Sequence, residues 1–397
     1  MDPIRNPYAP GAGTQPPELA GREALLEQAR IAMQRLKAGR SAKSFIAVGV
    51  RGVGKTVLLN RIEHLAVAAG YRVCKIEAQE QRGLPELLVP PLRETLLALD
   101  RMGAMAEAAR KALRVLASFM RTVKLTHGGV DIALGIDPEP GTADSGDLDN
   151  DLGALLHAVG EAARARTTPV AILIDEIQYL NERHLGALIM AMHRASQSGL
   201  PLLLAATGLP QVVGLTGQAK SYAERLFDFP LVDALSPADS DAALQIPARS
   251  EQARWDEAAL AQVRALTRGY PYFLQEWGYH TWNIAAGPVI RATDVDVATK
   301  RAIDRLDESF FRVRYDRLTP RERDYLRAMA ELGPSPHRSG DIADTLGIRV
   351  QTAGPLRGGL IRKGMIYSPA HGDTAFTVPL FDQFLRRVVP SWPPRAH

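Results

Sequence analysis

Residues 49–56 read Gly49-Val50-Arg51-Gly52-Val53-Gly54-Lys55-Thr56, which fits the pattern G-x-x-x-x-G-K-[ST]. The apolar run at 44–50 predicts a buried strand, and the periodic apolar positions at 56–69 predict a helix. Glycines in such a turn let backbone N–H groups point inward, and the helix N-terminus adds its positive dipole end. We therefore expect a phosphate-binding loop in which Lys55 faces the β- and γ-phosphates and Thr56 holds Mg²⁺. The residues predicted to bind the nucleotide here are Gly49, Val50, Arg51, Gly52, Val53, Gly54, Lys55, Thr56 and Val57.

A second motif supplies the acidic group that a metal ion at such a loop needs. Residues 170–176 read Val170-Ala171-Ile172-Leu173-Ile174-Asp175-Glu176, an apolar strand with two carboxylates at its carboxyl end. In a parallel sheet this end lies beside the loop after residues 44–50. We expect Asp175 to hold Mg²⁺ and Glu176 to act as general base toward an attacking water. The two motifs together favour ATP hydrolysis over binding alone.

Strands and helices alternate through the first half of the chain. Short apolar runs predict further strands at 71–76 and 202–206. Periodic apolar positions predict helices at 85–99 and 185–196. This alternation is typical of an α/β fold in which helices cover both faces of a parallel sheet.

The sequence predicts four parts. They are an extended, proline-rich leader (1–17), a P-loop ATPase domain (18–232), an α-helical lid (233–310) and a C-terminal winged helix-turn-helix domain (311–397). The second part contains an insertion over 102–150, for which we expect a helix, a hairpin at 122–136 and a mobile acidic loop.

Composition and charge restrict the function classes. The 397 residues include one cysteine, Cys74, so no disulfide forms within the chain. No apolar run approaches the roughly 18 residues that cross a bilayer, so we expect a cytoplasmic protein without membrane contact. The nine histidines lack metal-ligand spacing. Residues 311–397 carry a net charge of +6, and the rest of the chain carries −2. This asymmetry favours double-stranded DNA as a partner, with a solvated basic face as the alternative.

Further segments carry a resemblance to a known family. They are Leu19-Ala20-Gly21-Arg22-Glu23, Leu203-Leu204-Ala205-Ala206-Thr207-Gly208-Leu209-Pro210, Ser221-Tyr222-Ala223-Glu224-Arg225-Leu226-Phe227 and Gly269-Tyr270-Pro271. With the two nucleotide motifs, they resemble the AAA+ ATPases related to origin-recognition and replication-initiator proteins, and the neighbouring STAND signalling ATPases. The resemblance covers most of the chain and implies ATP and Mg²⁺ as cofactors.

The resemblance implies roles for two residues of the sheet domain. Thr207 stands where the family places a polar sensor of the γ-phosphate, usually Asn, and a helix or turn cap is the alternative. Arg225 stands where the family carries an arginine finger, which stabilises phosphoryl charge in a neighbouring subunit. The alternative is a surface arginine paired with Glu224 or Asp228. If Arg225 acts in a neighbour, hydrolysis requires a homo-oligomer.

Two other residues are implied to contact the base or sugar of the nucleotide. Pro271 belongs to a segment similar to the STAND lid motif. The initiator branch instead has a second sensing arginine in its lid, and the sequence does not choose between Arg264 and Arg268. Tyr8 lies in a segment similar to the one that lines the adenine pocket, so its ring is a candidate for stacking on the base. Packing of Tyr8 on the core is the alternative.

The basic C-terminal quarter predicts three helices and a hairpin, which is the element order of a winged helix. The third helix of that fold enters the major groove. Here it contains glycines, at roughly 1 kcal/mol each, and Pro355, at about 3 kcal/mol. It therefore either starts at Pro355 or reads bases poorly. The residues expected to contact DNA are Arg349, Gln351, Thr352, Arg357, Arg362 and Lys363, with His371 in the wing.

Three functions stay open on the sequence alone. The first is an ATP-hydrolysing switch whose nucleotide state controls a DNA-binding winged helix. The second is a DNA-binding module that only holds nucleotide. The third is a STAND-like signalling ATPase whose winged helix contacts a protein partner that the sequence does not identify.

Overall fold

A parallel sheet of five strands organises the first half of the chain in the computed structural model, which describes residues 1–11, 18–100, 106–123, 137–220, 223–333 and 336–392. The strands are β1 (Ser44–Val48), β2 (Arg72–Glu77), β3 (Val170–Asp175), β4 (Leu202–Gly208) and β5 (Phe227–Asp228). They lie in the order β2-β3-β4-β1-β5. This order places β4 between β1, which leads into the phosphate-binding loop, and β3, which ends at Asp175. Ala47 of β1 lies opposite Thr207 of β4, and Ile174 of β3 lies opposite Ala206.

Helices cover both faces of this sheet, as the sequence predicts. They are α1 (Glu23–Lys37), α2 (Lys55–Ala68), α3 (Leu84–Asp100), α4 (Ala106–Val123), α5 (Leu148–Ala165), α6 (Glu182–Gln197), α7 (Val212–Ala219) and α8 (Ala223–Leu226). Alternate strand residues enter separate cores: Ile172 packs on one face, and Leu173 packs on the other. Because both faces are buried, the strands read as continuous apolar runs.

The predicted insertion is only partly as expected. α4 agrees with the predicted helix, whereas α5 is not predicted by the sequence analysis. We expected a hairpin at 122–136. Residues 122 and 123 belong to the end of α4, and residues 124–136 lie outside the described part of the chain. The acidic loop before α5 is anchored, because the buried Asp151 accepts hydrogen bonds from the backbone of Ser145 and Gly146 at 3.0 and 2.9 Å. This anchoring argues against the mobile loop that we expected.

A helical unit follows the sheet. Its elements are α9 (Pro237–Ser250), β6 (Arg254–Trp255), α10 (Glu257–Thr267), α11 (Pro271–Ile284), β7 (Val289–Ile290) and α12 (Ala292–Arg305). The parallel pair β6–β7 is an addition to the expected all-helical lid. The start of the chain lies along this unit, since Asn6 donates to the carbonyl of Tyr279 at 3.0 Å and Trp282 donates to that of Asp2 at 2.9 Å.

The basic C-terminal unit begins after a π-helix over Leu306–Phe311. Its elements are α13 (Arg312–Tyr315), α14 (Pro320–Glu331), β8 (His337–Arg338), α15 (Ser339–Leu346), α16 (Val350–Arg362), β9 (Ile366–Tyr367), β10 (Asp373–Phe376) and α17 (Phe381–Val388). The strands form an antiparallel sheet in the order β8-β10-β9. α16 runs through Pro355, so the alternative start at that proline is wrong.

The lid and the C-terminal unit share one hydrophobic core, although the sequence analysis places a boundary at 311. Tyr272 of α11 stacks on Phe310 with ring centroids 4.7 Å apart, and Phe311 stacks on Phe384 of α17 at 5.3 Å. These rings bury large apolar areas on both sides of the expected boundary. Among the described residues, no helix combines the length and apolarity that crossing a bilayer requires.

Candidate nucleotide site

The loop between β1 and α2 has the shape that its glycines predict. A Cβ on Gly49 would lie 2.0 Å from the carbonyl oxygen of Val232, so only glycine fits there. Gly54 forms the N-cap of α2 with a φ of 87°, a left-handed conformation that favours glycine. The loop therefore ends at a helix N-terminus, which favours an anion. Of the N–H groups of the loop, those of Gly49 and Arg51 donate to the carbonyls of Gly208 and Thr377.

Lys55 lies buried at the start of α2, with 7% of its surface exposed. Its Nζ donates to the carbonyl of Val50 at 2.9 Å. Burial lowers the pKa of Lys55 to about 8, and nearby Arg51 lowers it further, whereas Glu176 and Asp175 oppose this shift. A cation held in this way gains from an anionic ligand.

The sheet order brings Asp175 and Thr207 together at the carboxyl edge. Both side chains are buried, at 6% and 0% exposure. Asp175 Oδ1 accepts hydrogen bonds from the Thr207 hydroxyl and from the backbone N–H of Glu176, the latter at 2.9 Å. Thr207 thus orients the Asp175 carboxylate. Any effect of Thr207 on a bound nucleotide acts through that carboxylate.

Glu176 faces the phosphate-binding loop from the other side. Its backbone adopts the left-handed region with a φ of 51°, and it lies among the residues that line the cavity at this loop. Gln178 donates to its Oε2, and its Oε1 lies 3.9 Å from Arg51 Nη1. Arg51 Nη2 also donates to the Tyr179 hydroxyl at 3.1 Å. The carboxylate is close to the loop but is engaged by two side chains.

The cavity at the loop has a volume of about 410 Å³, within the usual range for small-ligand sites. All four parts of the chain line it. The lining residues include Ala9 and Gly11 of the leader, Arg22 and Lys55 of the sheet unit, Ala243, Pro271, Gln275 and Phe310 of the lid, and Arg314 at the start of the C-terminal unit.

Pro271 and Tyr8, the two residues implied to contact base or sugar, differ in position. Pro271 lines the cavity, and the next residue, Tyr272, donates its N–H to the carbonyl of Gly52 at 3.1 Å. Tyr8 instead lies in the lid core with 3% exposure, where its hydroxyl donates to Leu244 O at 2.5 Å and accepts from Trp255 Nε1 at 2.7 Å. Since these contacts bury the ring, the expectation that Tyr8 stacks on a base is corrected.

The two lid arginines that the sequence leaves open do not line the cavity. Arg264 pairs with Asp241, and Arg268 is exposed at the C-terminal cap of α10. The cavity arginines that the sequence analysis overlooks are Arg22 and Arg314. Arg22 lies within a segment quoted for the family resemblance, whereas no motif marks Arg314.

Arg225 lies away from the site of its own chain. It is exposed on α8, just before β5, and β5 pairs with the amino-terminal end of β1. The phosphate-binding loop follows the other end of β1, roughly 16 Å away for five residues. Within the described ion pairs, Arg225 is not paired with Glu224 or Asp228; Asp228 pairs with Lys43. Segment residues 221 and 222 are outside the described part of the chain.

The six residues expected to contact DNA divide into two groups. Arg357 donates to Thr374 Oγ1 at 2.9 Å, and Lys363 pairs with Glu322 at 2.7 Å. Both side chains thus make contacts within the C-terminal unit, and their contact with DNA stays a prediction. Arg349, Gln351, Thr352 and Arg362 are exposed without such contacts among the described residues, Lys363 is exposed despite its ion pair, and His371 in the wing is exposed as well.

The C-terminal unit contacts the phosphate-binding loop directly. The backbone N–H of Arg51 donates to the carbonyl of Thr377 at 2.8 Å. A Cβ on Gly364 would lie 3.0 Å from Arg51 Nη2, which shows how closely the two units approach. No sequence signal indicates this contact, because it joins segments more than 300 positions apart.

The groups that would hold Mg²⁺ are the hydroxyl of Thr56 and the carboxylate of Asp175. Within the described residues no hydrogen bond uses Asp175 Oδ2, which is free for a ligand. The same residues contain no group of three or more His, Cys, Asp or Glu side chains that would enclose a metal. One hydroxyl and one carboxylate fit Mg²⁺, since this ion keeps several waters and takes phosphate oxygens.

Comparisons with known families give two matches. Residues 18–205 match the profile of the AAA ATPase domain, and residues 308–385 match that of a domain of unknown function, DUF8462. The first match confirms the predicted resemblance to AAA+ ATPases and the predicted ATPase activity. None of the curated proteins with which the sequence was compared matches it.

Solved structures are similar over nearly the whole chain. The Walker-type ATPase PABY2304 of Pyrococcus abyssi is 18% identical with a TM-score of 0.60, covering 94% of this chain and 97% of that one. At this identity the likeness shows the fold. Cdc6p from Pyrobaculum aerophilum (13% identical, 98% of each chain, TM-score 0.47) and Aeropyrum pernix Orc1 in complex with DNA (15%, 94% of each chain, TM-score 0.44) overlap less well.

Proposed function

Because residues 18–205 are an AAA ATPase domain, we propose that this ATPase uses its nucleotide state to set the position of the basic C-terminal unit. ATP and Mg²⁺ bind between the sheet unit and the lid. Binding and hydrolysis then change the contacts between the phosphate-binding loop and residues 364–377, so the C-terminal unit is the output of the switch.

The observation that carries this proposal is the hydrogen bond from Arg51 N–H to Thr377 O. Arg51 belongs to the loop whose amides surround the phosphates, so a bound nucleotide and the C-terminal unit act on the same short segment. A ligand shifts a conformational equilibrium only through contacts that differ between the two states. The shared segment provides such contacts.

The site residues support the following roles in hydrolysis. Lys55 binds the phosphates, while Thr56 and Asp175 hold Mg²⁺, which neutralises phosphate charge when it is bound. Thr207 orients Asp175 through its hydroxyl. Glu176 accepts the proton of the attacking water after its carboxylate has broken its contacts with Gln178 and Arg51.

Double-stranded DNA is the partner that we propose for the C-terminal unit. This unit carries the basic surplus of the chain, and exposed Arg349, Gln351 and Thr352 lie at the start of α16. The opposite end of α16 faces the sheet unit, since Gln211 Nε2 donates to Ile361 O at 3.5 Å. The end that carries the polar side chains is therefore turned away from this contact.

A protein partner, as in STAND-like signalling, is the second candidate. It is favoured because Arg357 and Lys363 make contacts inside the unit and because α16 offers glycines where a reading helix offers side chains. The salt dependence of duplex binding separates the two candidates, since each phosphate contact steepens the slope of log K against log salt by roughly 0.9.

The switch is tested with two fluorophores on the full-length protein. Arg61→Cys and His371→Cys place labels at exposed positions of the two units, and the natural Cys74 is buried and does not compete. We expect energy transfer to differ between the free, ATP and ADP states, and Lys55→Ala to abolish the differences. Equal transfer in all three states, with nucleotide binding shown separately, overturns the proposed switch.

Hydrolysis and DNA binding are tested on the same protein. Glu176→Gln is expected to bind ATP without turnover, and phosphate release by this variant would remove Glu176 as the base. Duplex DNA is expected to change the turnover rate, and Arg349→Ala to weaken DNA binding relative to the matched variant Arg321→Ala, an exposed arginine on α14. Absence of salt-sensitive duplex binding favours the protein partner.

We also propose that Arg225 completes the site of a second copy. Its exposure and its distance from the loop of its own chain support action in a neighbour. The homo-oligomer, the cytoplasmic location and the bounds of the four parts stay predictions from the sequence.

A further inference from the structure

Arg314 occupies an unusual place in the chain. It belongs to α13, which continues without a break from the π-helix Leu306–Phe311 at the junction of the lid and the C-terminal unit. π-helical turns are rare and occur frequently at functional sites. The side chain lines the nucleotide cavity together with Arg51, Lys55 and Glu176.

The guanidinium of Arg314 has no acidic partner within the described ion pairs, whereas Arg264 of the lid and Arg387 of α17 are paired with aspartates. It donates to the carbonyl of Phe310, and its Cζ lies 4.3 Å from the centroid of the Phe310 ring. Burial, and next the charge of Arg51, lower its pKa to about 10. The protein thus holds this cation half-buried and beside another cation.

Such an arrangement is unfavourable unless an anion joins it. The charged residues that line the cavity are four cations, Arg22, Arg51, Lys55 and Arg314, and two carboxylates, Glu18 and Glu176. The surplus of positive charge matches a polyphosphate. Arginine also presents several N–H donors in a planar fork that fits phosphate oxygens.

The neighbours of Arg314 indicate which part of the nucleotide it faces. The Phe310 ring under Arg314 stacks on Tyr272, whose N–H donates to the carbonyl of Gly52 in the loop at 3.1 Å. Arg51 and Tyr179, which are hydrogen-bonded to each other, also act on the pKa of Arg314. Arg51 belongs to the first nucleotide motif and Tyr179 follows the second. Arg51 Nη1 lies 3.9 Å from Oε1 of Glu176, the proposed base. The base that activates water must face the terminal phosphate, so Arg314 lies on the same side of the cavity.

We infer that Arg314 binds the terminal phosphate of ATP and thereby reports the nucleotide state to the C-terminal unit. This inference rests on the proposed nucleotide switch and names the residue that senses the state. The coupling has a short path. Arg314 is followed by Tyr315, whose ring lies 5.7 Å from that of Phe384 in α17, and it is preceded by Phe311, which also packs on Phe384. A shift of α13 therefore moves the core of the C-terminal unit.

The test compares the affinities of a non-hydrolysable ATP analogue and of ADP by titration calorimetry on the full-length protein. Arg314→Gln is expected to weaken binding of the analogue at least tenfold and of ADP by less than threefold. Arg312→Gln is the matched control, since this exposed arginine on α13 does not line the cavity. It is expected to change neither affinity. An unchanged preference for the analogue over ADP in Arg314→Gln overturns the inference, as does an equal loss for both ligands.

Arg314→Lys is a second variant in case Arg314→Gln does not fold, because lysine keeps the positive charge and most of the aliphatic side chain. We expect it to lose part of the preference for the analogue, and full retention of the preference counts against the inference. A second readout is hydrogen exchange over residues 364–377 at saturating analogue, which should respond in the natural protein and not in Arg314→Gln. If the natural protein binds no nucleotide, the proposed function fails. If it binds and hydrolyses ATP while Arg314→Gln behaves like it, only the role of Arg314 fails.

Discussion

The pH dependence of nucleotide affinity gives a quantitative test of the environment of Lys55. Burial lowers the pKa of Lys55 to about 8 in the free protein, against a usual value of 10.5. A triphosphate binds the protonated amine in preference to the neutral one and raises its pKa in the complex. Apparent affinity should therefore be constant below about pH 7 and fall as the pH rises through 8.

The size of the effect follows from the free-state pKa. At pH 7 roughly a tenth of the free protein carries neutral Lys55, and at pH 9 roughly nine tenths do. Binding must then protonate the amine, so affinity should fall roughly tenfold between pH 7 and pH 9. This corresponds to about 1.4 kcal/mol. Arg314, with a pKa near 10, changes little in this window.

The assay is calorimetric titration of a non-hydrolysable ATP analogue in Mg²⁺ buffer at half-unit pH steps. The nucleotide does not interfere, because the last ionisation of a phosphate lies near pH 6. Thermal unfolding at each pH checks that the protein stays folded. Constant affinity from pH 7 to 9 would refute the claim that burial governs Lys55. In Glu176→Gln the midpoint should move to lower pH, because Glu176 raises the pKa of Lys55.

Three further outcomes follow from the geometry. Thr207→Val removes a buried hydrogen bond to a carboxylate, worth about 1.5–3 kcal/mol, and should lower turnover at limiting Mg²⁺ by an order of magnitude, while Thr207→Ser, which keeps the hydroxyl, should stay near the natural rate. Arg225→Ala and Glu176→Gln should each be inactive alone and regain turnover when mixed, and a mixture without activity would speak against sharing of sites between copies. Tyr8→Phe should lower the unfolding free energy by about 1–3 kcal/mol, because the hydrogen bonds of the Tyr8 hydroxyl lie in the lid core. ATP affinity should stay unchanged, and weaker ATP binding by this variant would show that Tyr8 contributes to the nucleotide site.

The residues that the sequence places correctly depend on local patterns. The strand, the glycine-rich turn and the helix around residues 49–56 are adjacent in the chain, so spacing and periodicity define them together. The same holds for the apolar strand that ends at Asp175. Parallel pairing then forces the two motifs to one edge of the sheet.

The contacts that the sequence analysis misses are those made with another part of the chain. Tyr8 resembles a base-stacking residue in its local segment, yet Trp255 and Leu244 enclose it in the lid. Arg357 and Lys363 look like free cations on a helix, whereas Thr374 and Glu322 engage them. Charge and periodicity do not encode partners at such separations.

By itself the sequence determined the phosphate-binding loop, the acidic pair after β3 and the basic surplus of the last quarter, because each is a property of neighbouring residues. Only the tertiary structure decided that Thr377 accepts a hydrogen bond from the N–H of Arg51 and that Arg314 lines the cavity. Both depend on how the aromatic core that joins the lid to the C-terminal unit packs over the sheet. Such packing is a sum of many distant contacts that no single stretch of the chain contains.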